Sequence, residues 1–120
     1  MAVHNELGAW GEDLAAVFLE GKDYVIVERD WKTGHRDLDI IALDGDTLVF
    51  VEVKTRRNRV FGEPEEAIDF RKLQNLRMDI HHFVKSRRVS HDFRLDVITV
   101  VGTPAGGPPQ ISHIKDVPMY

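Results

Sequence analysis

The sequence predicts a mixed α/β (α+β) domain, a β-sheet packed by helices in the order α-β-β-β-α-β with a closing strand. Three observations carry this. Two stretches with helical apolar spacing bracket a pair of strand-like runs joined by an Asp-Gly pair; a nine-residue apolar run, Phe93 to Val101, follows the second helix; and a Gly- and Pro-rich loop precedes a last short strand pattern. With 120 residues, 42% hydrophobic and 30% charged, the chain can bury one core, and residues 1–120 are expected to form a single domain.

Leu7, Trp10, Leu14, Val17 and Phe18 recur at helical spacing, and Gly21 with Lys22 supplies a stop. Glu6 to Glu20 therefore reads as an amphipathic helix, with Glu12 on the edge of its apolar arc. Tyr24 to Glu28 is short and β-branched, a strand, and Asp30 to Arg36 reads as a turn. Leu38 to Ala42 and Leu48 to Val53 form a hairpin across Leu43-Asp44-Gly45-Asp46. A two-residue turn at Asp44-Gly45 sets Asp37 opposite Glu52 and Asp39 opposite Phe50. Arg56 to Gly62 is a basic loop, and Glu63-Pro64-Glu65-Glu66 suits a helix first turn. Leu73, Leu76, Ile80 and Phe83 carry that helix to about Lys85. Phe93 to Val101 is an inner strand, Gly102 to Pro109 a loop, and Gln110 to Ile114 a closing edge strand.

The chain has no cysteine, which excludes disulfides, thiolate zinc sites and a cysteine nucleophile and fits a cytoplasmic protein. Met1 to Gly11 holds no apolar run of signal-peptide length, and no stretch approaches the roughly 20 apolar residues of a membrane span, so no membrane partner is expected. No phosphate-cradling Gly loop is present, which weighs against a nucleotide-processing enzyme. The net charge of -4 argues against coating nucleic acid through bulk electrostatics. Between Lys54 and Arg88, however, ten Lys or Arg stand against five acids. Charge runs alone fit a solvated face better than a phosphate-binding one; if nucleic acid binds, it should approach Lys54, Arg56, Arg57, Arg59, Lys72, Arg87 and Arg88.

Strand alternation puts Asp37, Asp39, Glu52 and Lys54 on one face, with Val49, Val51 and Val53 on the other. Carboxylates roughly 5 to 8 Å apart across an antiparallel pair can hold one divalent cation, and Mg2+ or Mn2+ prefers such oxygens. Equally, Lys54 can supply the counter-charge on a merely salt-bridged face. His81 and His82 point about 100° apart on a helix, so they do not chelate together and read as surface or core-edge residues. Asp96 interrupts an apolar strand and reads as a structural hydrogen-bond acceptor rather than a further site carboxylate.

The stretch from Asp39 to Arg56 resembles the signature of the YraN-like proteins, small bacterial proteins related to Holliday-junction resolvases and classed as endonuclease-like. The resemblance extends to Gly8, Gly11, Glu12, Ala15 and Leu19, to Gly62, Ala67, Lys72, Leu76 and Phe83, and to Phe93 through Val97, covering nearly the whole chain. It implies a restriction-endonuclease-like fold with the PD-(D/E)XK pattern. Asp39 would be the strand aspartate, Glu52-Val53-Lys54 the acid-x-Lys element, and Glu12 an acid lent by the first helix. The implied catalytic residues are Asp39, Glu52 and Lys54, and the implied ligands of Mg2+ or Mn2+ are Glu12, Asp39 and Glu52. The implied activity is metal-dependent cleavage of DNA, branched or junction DNA in particular, by a homodimer that places two symmetric cuts. Asp37 departs from the family's Gly-Glu-hydrophobic-Asp run, keeping the charge but shortening the reach by one methylene. The alternative is a non-catalytic nucleic-acid-binding module on the same fold.

Overall fold

The structure is a computed structural model that describes residues 3–60 and 70–119, with side chains from Glu6 onward. Helix α1 (Val3–Gly21) precedes three strands, β1 (Val25–Thr33), β2 (Arg36–Asp44) and β3 (Thr47–Arg56). Helix α2 (Phe70–Ser86) leads into β4 (Phe93–Val101) and β5 (Gln110–Ile114). The five strands form one sheet in chain order, antiparallel except for the β3–β4 pair, which is parallel and is joined through α2. This is the expected α-β-β-β-α-β-β order. No helix of the described residues is long and apolar enough to cross a membrane.

The sheet is buried on both faces. Beneath α1, Ala15, Ala16 and Leu19 pack on Ile40, Ala42, Val49, Val51, Ile98 and Val100. On the other face Leu76, Ile80 and Phe83 of α2 pack on Trp31, Ile41, Phe50 and Leu95. Strands β3 and β4 lie between the two layers, which explains the nearly continuous apolar run of Phe93 to Val101. The helix start expected at Glu63 to Glu66, with Gly62 and Ala67, lies outside the described residues.

Three local expectations are corrected. Strand β1 continues to Thr33 and the turn shrinks to Gly34 and His35, because Trp31 is buried in the α2 layer and draws the chain into the sheet. The β2–β3 turn is centred on Gly45-Asp46, with Asp44 opposite Thr47 and Ile40 opposite Val51, so Asp39 does not face Phe50. Gly45 has φ 60° at the first turn position, where a II′-type hairpin requires glycine. Finally, the buried arc of α1 is rotated from the one read off the spacing: Val17 is 66% exposed, while Gly11, Glu12, Ala15, Ala16 and Leu19 face inward.

The rotation of α1 has a close-packing cause. A Cβ added to Gly11 would fall 2.0 Å from Thr55 Oγ1 and 3.0 Å from Thr55 Cβ. The missing side chain lets α1 lie against β3 at this point, and the next residue, Glu12, is carried into the interior.

Candidate active site

The alternation of β2 breaks at Asp39. Leu38 packs in the α2 layer, Ile40 and Ala42 pack under α1, and Ile41 returns to the α2 layer. Residues 38 and 40 would share a face in a regular strand. On β1 the matching position is Asp30, which lies between the pairs Arg29↔Ile40 and Trp31↔Leu38 and has φ 52°. The β2–β3 ladder also stops here, at Ile40↔Val51. Beyond it the Val53 N–H donates to Asp39 Oδ2 at 2.9 Å, so an aspartate side chain takes over where strand pairing ends.

Asp39 and Glu52 are thereby brought side by side from adjacent strands. Burial pushes the Asp39 carboxyl up to about 8, helped by the charge of Glu52 and a hydrogen bond shared with it and opposed by the Val53 N–H. Glu52 is buried at 5% exposure. Its Oε2 meets two ammonium groups, Lys54 Nζ at 3.4 Å and Lys72 Nζ at 3.2 Å. Burial lowers the tendency of Lys72 to stay charged, but Glu52 outweighs it with support from Asp37 and Asp39, and the net shift is upward.

Glu12 reaches the same place from α1. Burial pushes its carboxyl up to about 7, aided by the charge of Asp30 and a hydrogen bond to it, and opposed by Arg29. Arg29 Nε lies 3.3 Å from Glu12 Oε1, and its Nη2 lies 2.6 Å from Asp13 Oδ1. Glu12, Asp39, Lys54 and Arg56 line one open cleft of about 310 Å3, whose wall includes Gly8 and Thr55. Among the described residues, no three His, Asp or Glu side chains are gathered closely enough to hold a metal ion together. The pair Asp39 and Glu52 nevertheless fits Mg2+ or Mn2+ in its chemistry: hard oxygen donors, mutually crowded and relieved by positive charge.

The remaining expected site residues divide. Arg56 lines the cleft, and Arg57 is exposed just beyond the end of β3. Arg59 is hydrogen-bonded to Gln110. Lys72 belongs with the carboxylates rather than with a peripheral basic patch. Arg87 lies at the far end of α2, 3.2 Å from Glu28 and over the Phe83 ring, and Arg88 follows it with φ 52°. Fourteen residues separate Lys72 from Ser86, about 21 Å along a helix axis, so Arg87 and Arg88 are not brought to the carboxylates. Asp37 is exposed and lines a different groove, with Arg36 and Lys72. His81 and His82 are exposed, as expected.

Asp96 is structural. It accepts hydrogen bonds from Arg94 Nε (2.9 Å) and the Asp116 N–H (3.0 Å) and lies 2.8 Å from His113 Nε2. Sequence reasoning missed Asp30 and Arg29, the partners of Glu12. Only the left-handed backbone at Asp30 aligns them, and no local pattern announces it.

Similarity to known proteins runs along almost the full chain. The sequence profile described as "Uncharacterised protein family UPF0102" matches residues 11–100, which span Glu12, Asp39, Glu52, Lys54 and Lys72. A UPF0102 protein of Bacteroides thetaiotaomicron is 43% identical over 116 residues, 97% of this chain and 94% of the relative. One from Syntrophomonas wolfei is 42% identical over 93% of this chain and 96% of its own length. One from Christiangramia forsetii is 38% identical over 100% of this chain and 99% of its own length. The chain belongs to the UPF0102 family, the YraN-like proteins whose signature its hairpin resembles.

Proposed function

We propose that this protein is a metal-dependent endonuclease acting on DNA, with branched or junction DNA as the substrate class and a homodimer as the working form. One observation carries the proposal. Two carboxylates, the half-buried Asp39 and the buried Glu52, are held against each other at a break in the sheet, with a lysine 3.4 Å from one of them, beside an open cleft that Arg56 also lines. The neighbouring Glu52 helps raise the proton affinity of Asp39, a cost that a purely structural site has no reason to retain.

In this scheme Asp39 and Glu52 hold Mg2+ or Mn2+, with Glu12 close by on α1. The cation supplies Lewis acidity, neutralising phosphate charge and making water a better nucleophile near neutral pH. The Val53 N–H fixes the orientation of Asp39 through its 2.9 Å hydrogen bond. Lys54 shares the cleft with Asp39, where its ammonium can orient the attacking water or stabilise charge on the pentavalent phosphate. Replacing Lys54 with alanine should spare the metal yet remove about 2.7 to 4 kcal/mol of transition-state stabilisation, on the order of a hundredfold in rate or more. Glu52→Gln should lose metal and cleavage together, because the amide keeps the shape without the charge.

A second reading, a nucleic-acid-binding module without catalysis, is favoured by one specific feature. Lys54 and Lys72 both approach Glu52 Oε2 and already supply counter-charge there. Incubating the protein with supercoiled, linear and four-way-junction DNA, with and without Mn2+ or Mg2+ from pH 6 to 9, separates the two. The endonuclease cuts at least one form and only with cation. If no form is cut under any of these conditions, the binding module takes its place.

A further inference from the structure

Helix α2 presents two opposed stripes. Leu73, Leu76, Ile80 and Phe83 face the sheet. On the opposite side Arg71, Gln74, Met78, His81 and Lys85 follow a 3, 4, 3, 4 spacing, with Arg77 alongside. Arg71, Arg77, His81 and Lys85 are exposed. The chain carries a net charge of -4, but the bases of α2 are Arg71, Lys72, Arg77 and Lys85 and its one acid is Asp79, which Arg36 pairs at 3.4 Å. Arg71, Arg77 and Lys85 enter no ion pair among the described residues, unlike Arg87, which Glu28 occupies. Apart from Phe70 at its first position, Met78 is the only large apolar side chain exposed on the helix, so a protein partner would find little apolar surface to bury.

The stripe borders the carboxylate site through Lys72, which pairs with Glu52 at 3.2 Å. A groove of about 530 Å3 is lined by Lys72 and Met78 of α2 and by Arg36, with Asp37 and the Arg36-paired Asp79 also on its wall. A second groove of about 390 Å3 starts from the same Arg36 and Met78 and continues past Arg77 and His81 to Lys85. From Arg71 to Lys85 is about 21 Å along the helix axis, close to six base pairs at 3.4 Å each.

We propose that the outer face of α2 is a track for the phosphate backbone of duplex DNA, seating the arm that flanks the phosphodiester at the Asp39–Glu52 site. The position of the cut rests on the endonuclease reading above; the track itself rests on charge and geometry. It replaces Arg87 and Arg88 as the expected basic surface with Arg71, Arg77 and Lys85.

The test is a binding titration of labelled linear duplex DNA, followed by anisotropy over a range of salt, with wild type, Arg77→Glu/Lys85→Glu and Arg77→Gln/Lys85→Gln. These side chains are exposed, and unchanged thermal melts confirm that the variants fold. The charge-reversal pair should weaken binding at low salt by about tenfold or more, and both pairs should flatten the dependence of log K on log[salt] by about 1.8, or 0.9 for each lost contact. Wild-type affinity and slope in both pairs would overturn the track, as would wild-type protein that does not bind duplex at low salt. Cleavage by wild type alongside unaffected variants discards the track and keeps the nuclease. Binding lost in the variants of a protein that cuts nothing keeps the track and discards the nuclease.

Discussion

Two aspartates on inner strands of the same sheet, one fully buried and one half-buried, have opposite surroundings. Asp96 on β4 is fully buried and surrounded by Arg94, His113 and the Asp116 N–H. Burial alone would raise its pKa, but the hydrogen bonds of His113 and Arg94 outweigh it and hold the carboxyl below its ordinary value. Arg94 in turn reaches Asp44 at 3.0 Å and the Tyr24 hydroxyl at 2.7 Å, so the network closes on itself. Asp39 on β2 receives the Val53 N–H, but it faces Glu52 and is pushed up to about 8. A carboxylate saturated by donors is part of the scaffold, whereas one held against another carboxylate stores a demand for positive charge that chemistry can use.

Mutating each aspartate separates the two roles. Asp96→Ala should cost about 3 to 5 kcal/mol in a urea melt, because it leaves Arg94 without its buried partner. Asp39→Asn should leave metal-free stability at pH 7 unchanged or higher, since the amide is neutral without the proton that Asp39 must take up on folding at that pH. Comparable losses in both variants would erase the distinction. Gly11→Ala comes next, with an expected loss of about 1 to 3 kcal/mol from overpacking against Thr55. Because α1 carries Glu12, metal affinity should fall with it, and Gly8→Ala, where a Cβ meets nothing within 4 Å, serves as the control.

The smallest expected effect is in the pH dependence of the metal-free protein. The folded-state pKa values of Asp39 and Glu12, about 8 and about 7, lie above their ordinary values of 3.8 and 4.5. Their protonated forms therefore contribute stability that is complete below the ordinary values and is lost as pH rises through the folded ones. Asp96 is shifted the other way, so its contribution is lost only as pH falls into the acid range. Thermal melts should show Tm declining by several degrees from about pH 5 to 8.5, and Asp39→Asn should flatten that decline. A Tm that is independent of pH in wild type would count against the crowded pair.

Much of this was legible in the sequence, for identifiable reasons. Periodicity located both helices and every strand, and Phe93–Val101 and Gln110–Ile114 coincide with their expected bounds. Strand alternation alone fits a salt-bridged face equally well; Asp39, Glu52 and Lys54 stand out through the resemblance of the stretch from Asp39 to Arg56 to the YraN-like signature. What remained hidden depends on departures from regular geometry. The slip at Asp39 and the left-handed Asp30 break the alternation that put Asp37 with the site. The inward turn of Glu12 depends on Gly11 meeting Thr55, a contact between residues far apart in the chain. Lys72 reads from the sequence as one of the bases that nucleic acid would approach, because its closeness to Glu52 exists only once α2 is packed.

The most direct test is a calorimetric titration of Mn2+ into wild type, Asp39→Asn, Glu52→Gln and Lys54→Ala, repeated between pH 6 and 8. Wild type and Lys54→Ala should bind the cation, with affinity weakening toward pH 6 as protons compete for Asp39, and Asp39→Asn and Glu52→Gln should not bind it. No binding by wild type, or Mn2+ affinity unchanged in Asp39→Asn, would contradict a cation held by Asp39 and Glu52.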